Sequence, residues 1–258
     1  MTTTITHSWF IMQRQLRNLA RQPAYIAFTI VSPAIYLLLF GALFKKVVDL
    51  PGFGADSYIN FLTPGIVVMS ALYSAGWSGM GVIQDLDRGV LDRFLVSPAS
   101  RSSLIIGRLT QMAVVTIIQS VIIIGLGLLV GARFPDGGIG LLALVLSAVL
   151  LAAPFGALSC AAALMARKEE SVIAAVNFVL LPLTFLSSVF MSEKLMPHWM
   201  QKVALFNPVN WSVQAGREAL SSNADWSIVF THLGYLVIFA LVCAWLATQA
   251  FRSYQRSA

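Results

Sequence analysis

Seven charged side chains fall within one stretch of two dozen residues: Asp85, Asp87, Arg88, Asp92, Arg93, Arg101 and Arg108. Alternating carboxylates and guanidiniums suit ion pairing and docking, whereas acid–base or nucleophilic catalysis needs other company. The three histidines, His7, His198 and His232, belong to distant segments. No HExxH or GxSxG motif occurs, and no pair of acids is set in an apolar run. The sequence also lacks the GxxxxGK[ST] loop whose backbone amides cradle phosphates, so ATP hydrolysis in the usual way is not expected of this chain. The charged stretch is therefore read as a surface that another protein holds.

Its setting supports that reading. The apolar runs 61–83 and 109–130 flank it, and each as helix is long enough to cross about 30 Å of hydrocarbon. The stretch between them must then lie on one membrane face. Read as a helix over 85–96, it puts Leu86, Val90, Leu91, Phe94 and Leu95 on one side and Asp85, Arg88, Asp92 and Arg93 on the other. Arg88 and Asp92 are spaced for an i,i+4 pair.

Of 258 residues, 58% are hydrophobic and 11% charged, far below the roughly 25% charged usual for a soluble domain. The expectation is an all-α polytopic membrane protein with six spans, at 24–44, 61–83, 109–130, 138–166, 172–191 and 226–251. The net charge of +6 is scattered over the loops between these runs, with no basic stripe or aromatic platform for nucleic acid. Cys160 and Cys243 both fall inside apolar runs and are expected as free buried thiols. The first 22 residues lack a continuous apolar core, so the first span is expected to serve as its own insertion signal.

Placing the N-terminus inside puts Arg14, Arg17, Arg21, Arg88, Arg93, Arg101, Arg108, Arg167, Lys168, Arg252 and Arg256 in the cytoplasm, eleven of the seventeen basic residues. The positive-inside bias thus favours both termini cytoplasmic. Before the first span, Trp9, Met12, Leu16 and Leu19 recur at helical spacing opposite Arg14, Arg17 and Arg21, which reads as a helix lying in the membrane interface. Outside, 192–225 is too long for a turn and too apolar for a free loop. Met196, Trp199, Met200, Val203, Leu205 and Phe206 form one short amphipathic piece, Asn207 and Pro208 break it, and 209–220 resumes helix. A helical hairpin dipping into the outer leaflet between spans five and six is expected, with Trp199 and Trp211 at headgroup level. The triplet Asn210, Trp211, Ser212 matches the glycosylation pattern, but so short a pattern arises often by chance.

Intramembrane acids and bases normally mark ion or proton pathways. The six runs carry essentially none, which disfavours a proton-coupled carrier and leaves open sodium coupling through carbonyls and hydroxyls. If transport is uphill, its energy must come from another chain.

The run Asp87, Arg88, Gly89, Val90, Leu91, Asp92, Arg93, Phe94, Leu95, Val96, Ser97, Pro98, Ala99, Ser100, Arg101 resembles the cytoplasmic signature of ABC-2 type transporter permeases, in particular the branch of daunorubicin-resistance and nodulation lipo-oligosaccharide exporters. Val90 and Asp92 stand where many members carry Thr and Glu, which leaves the amphipathic pattern intact. YINFLTPGI, from Tyr58 to Ile66, and Asn207, Pro208 and Arg217 before the last span are similar to the same family. The resemblance implies a single transmembrane domain over 1–258: an interfacial helix at 1–22, a six-span region at 24–251 and a cytoplasmic tail at 252–258. It further implies pairing with a second permease subunit, identical or different, and two separately encoded ATP-binding subunits that carry ATP and Mg, with no cofactor on this chain. Its location would be a bacterial cytoplasmic membrane. The coupling helix that the ATPase grips would use Asp85, Asp87, Arg88, Leu91, Asp92, Arg93, Phe94, Ser97, Pro98 and Arg101. A conduit along spans one, two and five would be lined by Phe28, Ser32, Tyr36, Met69, Ser70, Tyr73, Trp77, Asn177, Phe185 and Ser188. That uncharged aromatic and hydroxyl lining suits a drug-like amphipathic compound or a lipid-linked saccharide exported from the cell. The rival readings are a non-conducting accessory subunit and a sodium-coupled secondary carrier.

Overall fold

A backbone in hydrocarbon must satisfy its own amides, and long apolar runs do so as helices. The computed structural model describes residues 23–51, 53, 55, 57–88, 101–134, 137–166 and 168–257, with backbone alone for 23–29, 101–106, 108 and 247–257. Among the described residues every regular element is helical. In chain order these are α1 (Pro23–Leu43), α2 (Tyr58–Gly76), α3 (Ser78–Asp87), α4 (Arg101–Val130), α5 (Gly137–Ala166), α6 (Glu169–Phe185), α7 (His198–Ala204), α8 (Pro208–Ala219) and α9 (Trp226–Ser257). Short 3₁₀ turns at Lys45–Asp49 and Glu193–Leu195 join them. Among the described residues four stretches are long and apolar enough to cross a membrane: Tyr58–Asp87, Leu109–Val130, Gly137–Ala166 and Trp226–Leu246.

The first and fifth expected spans are shorter. The described apolar part of α1 is Ile30–Leu43, and α6 has 17 residues, about 25 Å of helix. The expected fifth span at 172–191 stops being helical at Phe185, and the cause is tertiary. Asn207 Nδ2 donates to the carbonyl oxygens of Leu183 at 2.7 Å and Leu186 at 2.9 Å, taking up acceptors that a helix end leaves orphaned. The chain is then free to turn through 186–191.

α2 and α5 form the centre. Leu62, Ile66, Val68 and Leu72 of α2 and Leu144, Ala148 and Leu151 of α5 are fully buried, while the outward faces remain apolar, as Leu129, Leu142, Leu241 and Trp245 illustrate. Lipid is as apolar as leucine, so close packing and interhelical hydrogen bonds must hold the bundle. Ser159 supplies one such bond set at the break between α2 and α3. Its Oγ donates to Gly76 O and accepts from Gly79 N at 3.1 Å, repairing the ladder on either side of Trp77. A Cβ on Gly79 would stand 2.5 Å from Ser159 O, so this approach needs glycine. Between α5 and α8, Ser147 Oγ donates to Ser212 O at 3.2 Å.

The expected cytoplasmic helix over 85–96 begins differently from that reading. Asp85 and Asp87 lie in the last turn of α3, directly continuous with the second span, and Arg88 caps it, donating its N–H to Gln84 O at 3.2 Å. Arg101 opens α4 two turns before the expected start of the third span. Leu91, Asp92, Arg93, Phe94, Ser97 and Pro98 lie outside the described residues. So does the expected interfacial helix with Trp9, Met12, Arg14, Leu16, Arg17 and Arg21. Cys160 and Cys243 are both free; Cys243 is buried as expected, whereas Cys160 is half-buried.

Candidate transport cavity and clasp

The residues at positions 69, 70, 73, 74 and 77 recur at spacings of three and four, so one face of the second span carries Met69, Ser70, Tyr73, Ser74 and Trp77. That face lines a cavity of about 580 Å³, a size suited to a drug-sized ligand. α1 contributes Ser32, Pro33, Tyr36 and Phe40, α4 contributes Gln119, and α6 contributes Asn177, Thr184 and Phe185, with Phe190 beyond it. Among the described residues the lining holds no charged side chain. Three of its polar side chains bond their own helices: Ser70 Oγ donates to Ile66 O, Thr184 Oγ1 to Leu180 O and Asn177 Nδ2 to Ile173 O.

Eight of the ten residues read from sequence meet here: Ser32, Tyr36, Met69, Ser70, Tyr73, Trp77, Asn177 and Phe185. The side chain of Phe28 lies outside the described residues. Ser188 does not join the lining. Because α6 ends at Phe185, residue 188 no longer shares a helical face with it, and Ser188 sits buried in the following turn. The sequence reading passed over Pro33, Phe40, Ser74, Gln119, Thr184 and Phe190. Periodicity could have found two of these: Phe40 lies one turn beyond Tyr36, and Ser74 lies on the stripe of Ser70 and Trp77. Nothing in the sequence marks Phe190, which enters through a turn.

That turn is pinned by its backbone. Tyr58 Oη donates to Phe190 O at 2.9 Å, Arg217 donates through Nη2 to Val189 O at 3.0 Å, and Ser188 N donates to Asn210 Oδ1 at 3.0 Å. The Arg217 Nε donates to Phe61 O at 3.0 Å, and its guanidinium lies 3.4 Å from the centroid of the Phe61 ring, within cation–π range. Burial pushes this guanidinium down to about 9, against the opposing pull of Tyr58 and Glu193, so it stays charged at neutral pH. Gly65 permits the arrangement, since a Cβ there would stand 2.6 Å from Val189 O.

Asn207 caps α8, its Oδ1 accepting from Val209 N at 3.0 Å, with Pro208 at the first helical position. Asn210 is 1% exposed and also donates to Glu193 Oε1, so its place in the glycosylation triplet is taken by packing. Trp211, expected at headgroup level, donates its Nε1 to Leu205 O at 2.7 Å, while Trp199 is largely exposed. The motif containing Tyr58, Phe61 and Gly65 and the motif containing Asn207 and Arg217 therefore close on one turn. An aromatic series leads from this clasp to the cavity: Phe44 to Tyr58 at 5.7 Å, Phe40 to Phe44 at 5.6 Å, Phe40 to Phe190 at 5.0 Å and Phe185 to Phe190 at 6.0 Å between centroids.

A sequence profile described as ABC-2 type transporter matches residues 6–221. The chain belongs to the ABC-2 type transporter family. It is 27% identical over 247 residues to the daunorubicin resistance ABC transporter permease protein DrrB1 of Streptomyces coeruleorubidus, covering 93% of this chain and 84% of that protein. To the putative transport permease ycf38 of Porphyra purpurea it is 31% identical over 219 residues, covering 84% and 74%. To the inner membrane transport permease YadH of Escherichia coli K12 it is 26% identical over 223 residues, covering 83% of each. This ABC-2 permease is thus an integral membrane transport subunit and not an enzyme, and it works with an ABC ATP-binding subunit that hydrolyses the nucleotide.

Proposed function

We propose that this permease is the membrane half of an ATP-driven exporter for hydrophobic or amphipathic compounds, and that the cavity between α1, α2, α4 and α6 is part of its conduit. The observation that carries this reading is the cavity's lining: aromatic rings and hydroxyls at a volume of about 580 Å³ without a charged side chain. A compact charged headgroup would find no counter-ion there, whereas a flat body, neutral or with its charge spread over its rings, would find aromatic faces on several sides.

In this reading α1 and α6 complete a six-span topology in a bacterial cytoplasmic membrane, with both termini inside and α7 and α8 as the outer hairpin. Two permease subunits pair, and each ATP-binding subunit grips the segment around Asp85, Asp87, Arg88, Leu91, Asp92, Arg93, Phe94, Ser97, Pro98 and Arg101. The segment at 1–22 lies in the cytoplasmic interface. Closure of the ATPases on nucleotide then pushes on α3. Because α3 continues α2, displacement reaches the cavity stripe at Tyr73 and Trp77, and beyond it Phe61, where Arg217 ties the second span to the outer hairpin.

Filling the cavity tests the conduit. Ser74→Trp should stop ATP-driven uptake of the aromatic cation rhodamine 123 into inside-out vesicles while leaving insertion and ATPase binding intact. Undiminished uptake by that variant would place the conduit elsewhere.

A further inference from the structure

Trp77 lines the cavity from the break between α2 and α3, so whatever fixes that break also fixes this ring. In an unbroken helix Gly79 N would donate to Ala75 O and Met80 N to Gly76 O. Here Met80 N donates to Trp77 O at 3.1 Å. The Oγ of Ser159, a residue of α5 that is 6% exposed, accepts from Gly79 N at 3.1 Å and donates to Gly76 O. One hydroxyl thus serves both a donor and an acceptor that the break releases, while Ser159 itself lies outside the cavity lining. We infer that Ser159 is a positioning residue for transport: by holding the break it sets the Trp77 ring in the cavity wall, and so sets the affinity for an aromatic amphiphile. This inference rests on the conduit reading above.

The hold matters because another set of bonds is within reach. Without the Ser159 hydroxyl, Gly79 N and Gly76 O lose their partner in a buried joint, and each then carries the cost of its desolvation. Re-forming the two intrahelical bonds removes that cost. It also straightens the second span and carries the Trp77 ring away from its place. Ser78, next to the break, reports the position of the joint: its Oγ donates to Gly156 O at 3.4 Å and lies 3.7 Å from Cys160 Sγ. Ser78→Cys therefore puts a second thiol against Cys160.

A double-mutant cycle tests whether Ser159 acts through Trp77. Binding of rhodamine 123 is measured by fluorescence anisotropy to the full chain with its ATP-binding subunit in lipid nanodiscs, with partition into empty nanodiscs subtracted. Ser159→Ala should weaken binding about fivefold. Trp77→Ala should weaken it about tenfold, and adding Ser159→Ala to Trp77→Ala should weaken it no further. Gly79→Ala, which forces a Cβ against Ser159 O, should act in the same direction and also only while Trp77 is present. A serine needed only for folding would lower Tm and weaken binding by the same factor in both backgrounds. In a chain carrying Ser78→Cys and Cys243→Ala, oxidation by copper phenanthroline should join position 78 to Cys160, and adding Ser159→Ala should slow that cross-linking about fivefold as the joint straightens.

Equal losses from Ser159→Ala with and without Trp77, unchanged binding in both Ser159→Ala and Gly79→Ala, or cross-linking that Ser159→Ala does not slow would overturn the positioning role. Ser74→Trp separates this role from the cavity itself. Binding lost in Ser74→Trp but unchanged in Ser159→Ala overturns the positioning role alone. Persistence of binding in Ser74→Trp, or failure of the dye to bind the unaltered protein, overturns the cavity reading and the positioning role with it.

Discussion

Arg217 shows how one residue can join two elements whose sequences are far apart. Its guanidinium bonds Phe61 O and Val189 O and covers the Phe61 ring, so removing it takes a charged donor from each of two carbonyls and uncovers a packing face at once. Arg217→Met should therefore lower stability by about 2–3 kcal/mol, since charged hydrogen bonds contribute more than neutral ones, read as a fall in Tm in detergent. Arg217→Lys should recover less than half of the loss, because a point ammonium does not reproduce the fork that spans both carbonyls. Gly65→Ala should destabilise for a different reason, a Cβ forced against Val189 O. A Tm unchanged in both Arg217→Met and Gly65→Ala would mean that the clasp does not hold the turn. The sequence showed that Tyr58 and Arg217 belong to recurring motifs, but their meeting depends on where α6 ends. That end depends on Asn207, more than twenty residues later.

At the scale of elements, local pattern carried far. The short helices before and after Asn207 and Pro208 follow from an amphipathic run, a capping asparagine and a proline at the first helical position. The resemblance implied Met69, Ser70, Tyr73 and Trp77 as lining, and helical spacing puts them on one face, which lines a cavity. What spacing could not give was a helix end fixed by distant side chains, which is why Ser188 was read onto a face that α6 no longer has. Nor could it show that Asp85 and Asp87 terminate the second span's own helix, because a charged turn at a helix end and the start of a new amphipathic helix look alike in sequence. The amphipathic pattern of Leu91 and Phe94 predicts that replacing both by Asp uncouples ATP hydrolysis from transport while insertion persists. The paired change Arg88→Ala with Asp92→Ala should weaken the complex with the ATP-binding subunit by only about 1 kcal/mol, as rim charges do. Pull-down affinity and substrate-stimulated export check the two, and normal coupled export by the Leu91, Phe94 variant would contradict the docking role.

Across the whole molecule, three features converge on one division of labour. The chain has no phosphate-binding loop, the lining of its cavity is uncharged among the described residues, and its second span runs, with one break at Trp77, from the clasp to a charged end at Asp85 and Asp87. A carrier driven by protons would need titratable groups in its path, whereas a path shaped for uncharged surface fits energy delivered mechanically from outside the membrane. The most direct test is flux in sealed proteoliposomes containing this permease with or without its ATP-binding subunit. The account predicts accumulation of rhodamine 123 only when both chains and ATP are present, with no ATPase activity from the permease alone and no accumulation under an imposed sodium or proton gradient. Gradient-driven accumulation by the permease alone would contradict it.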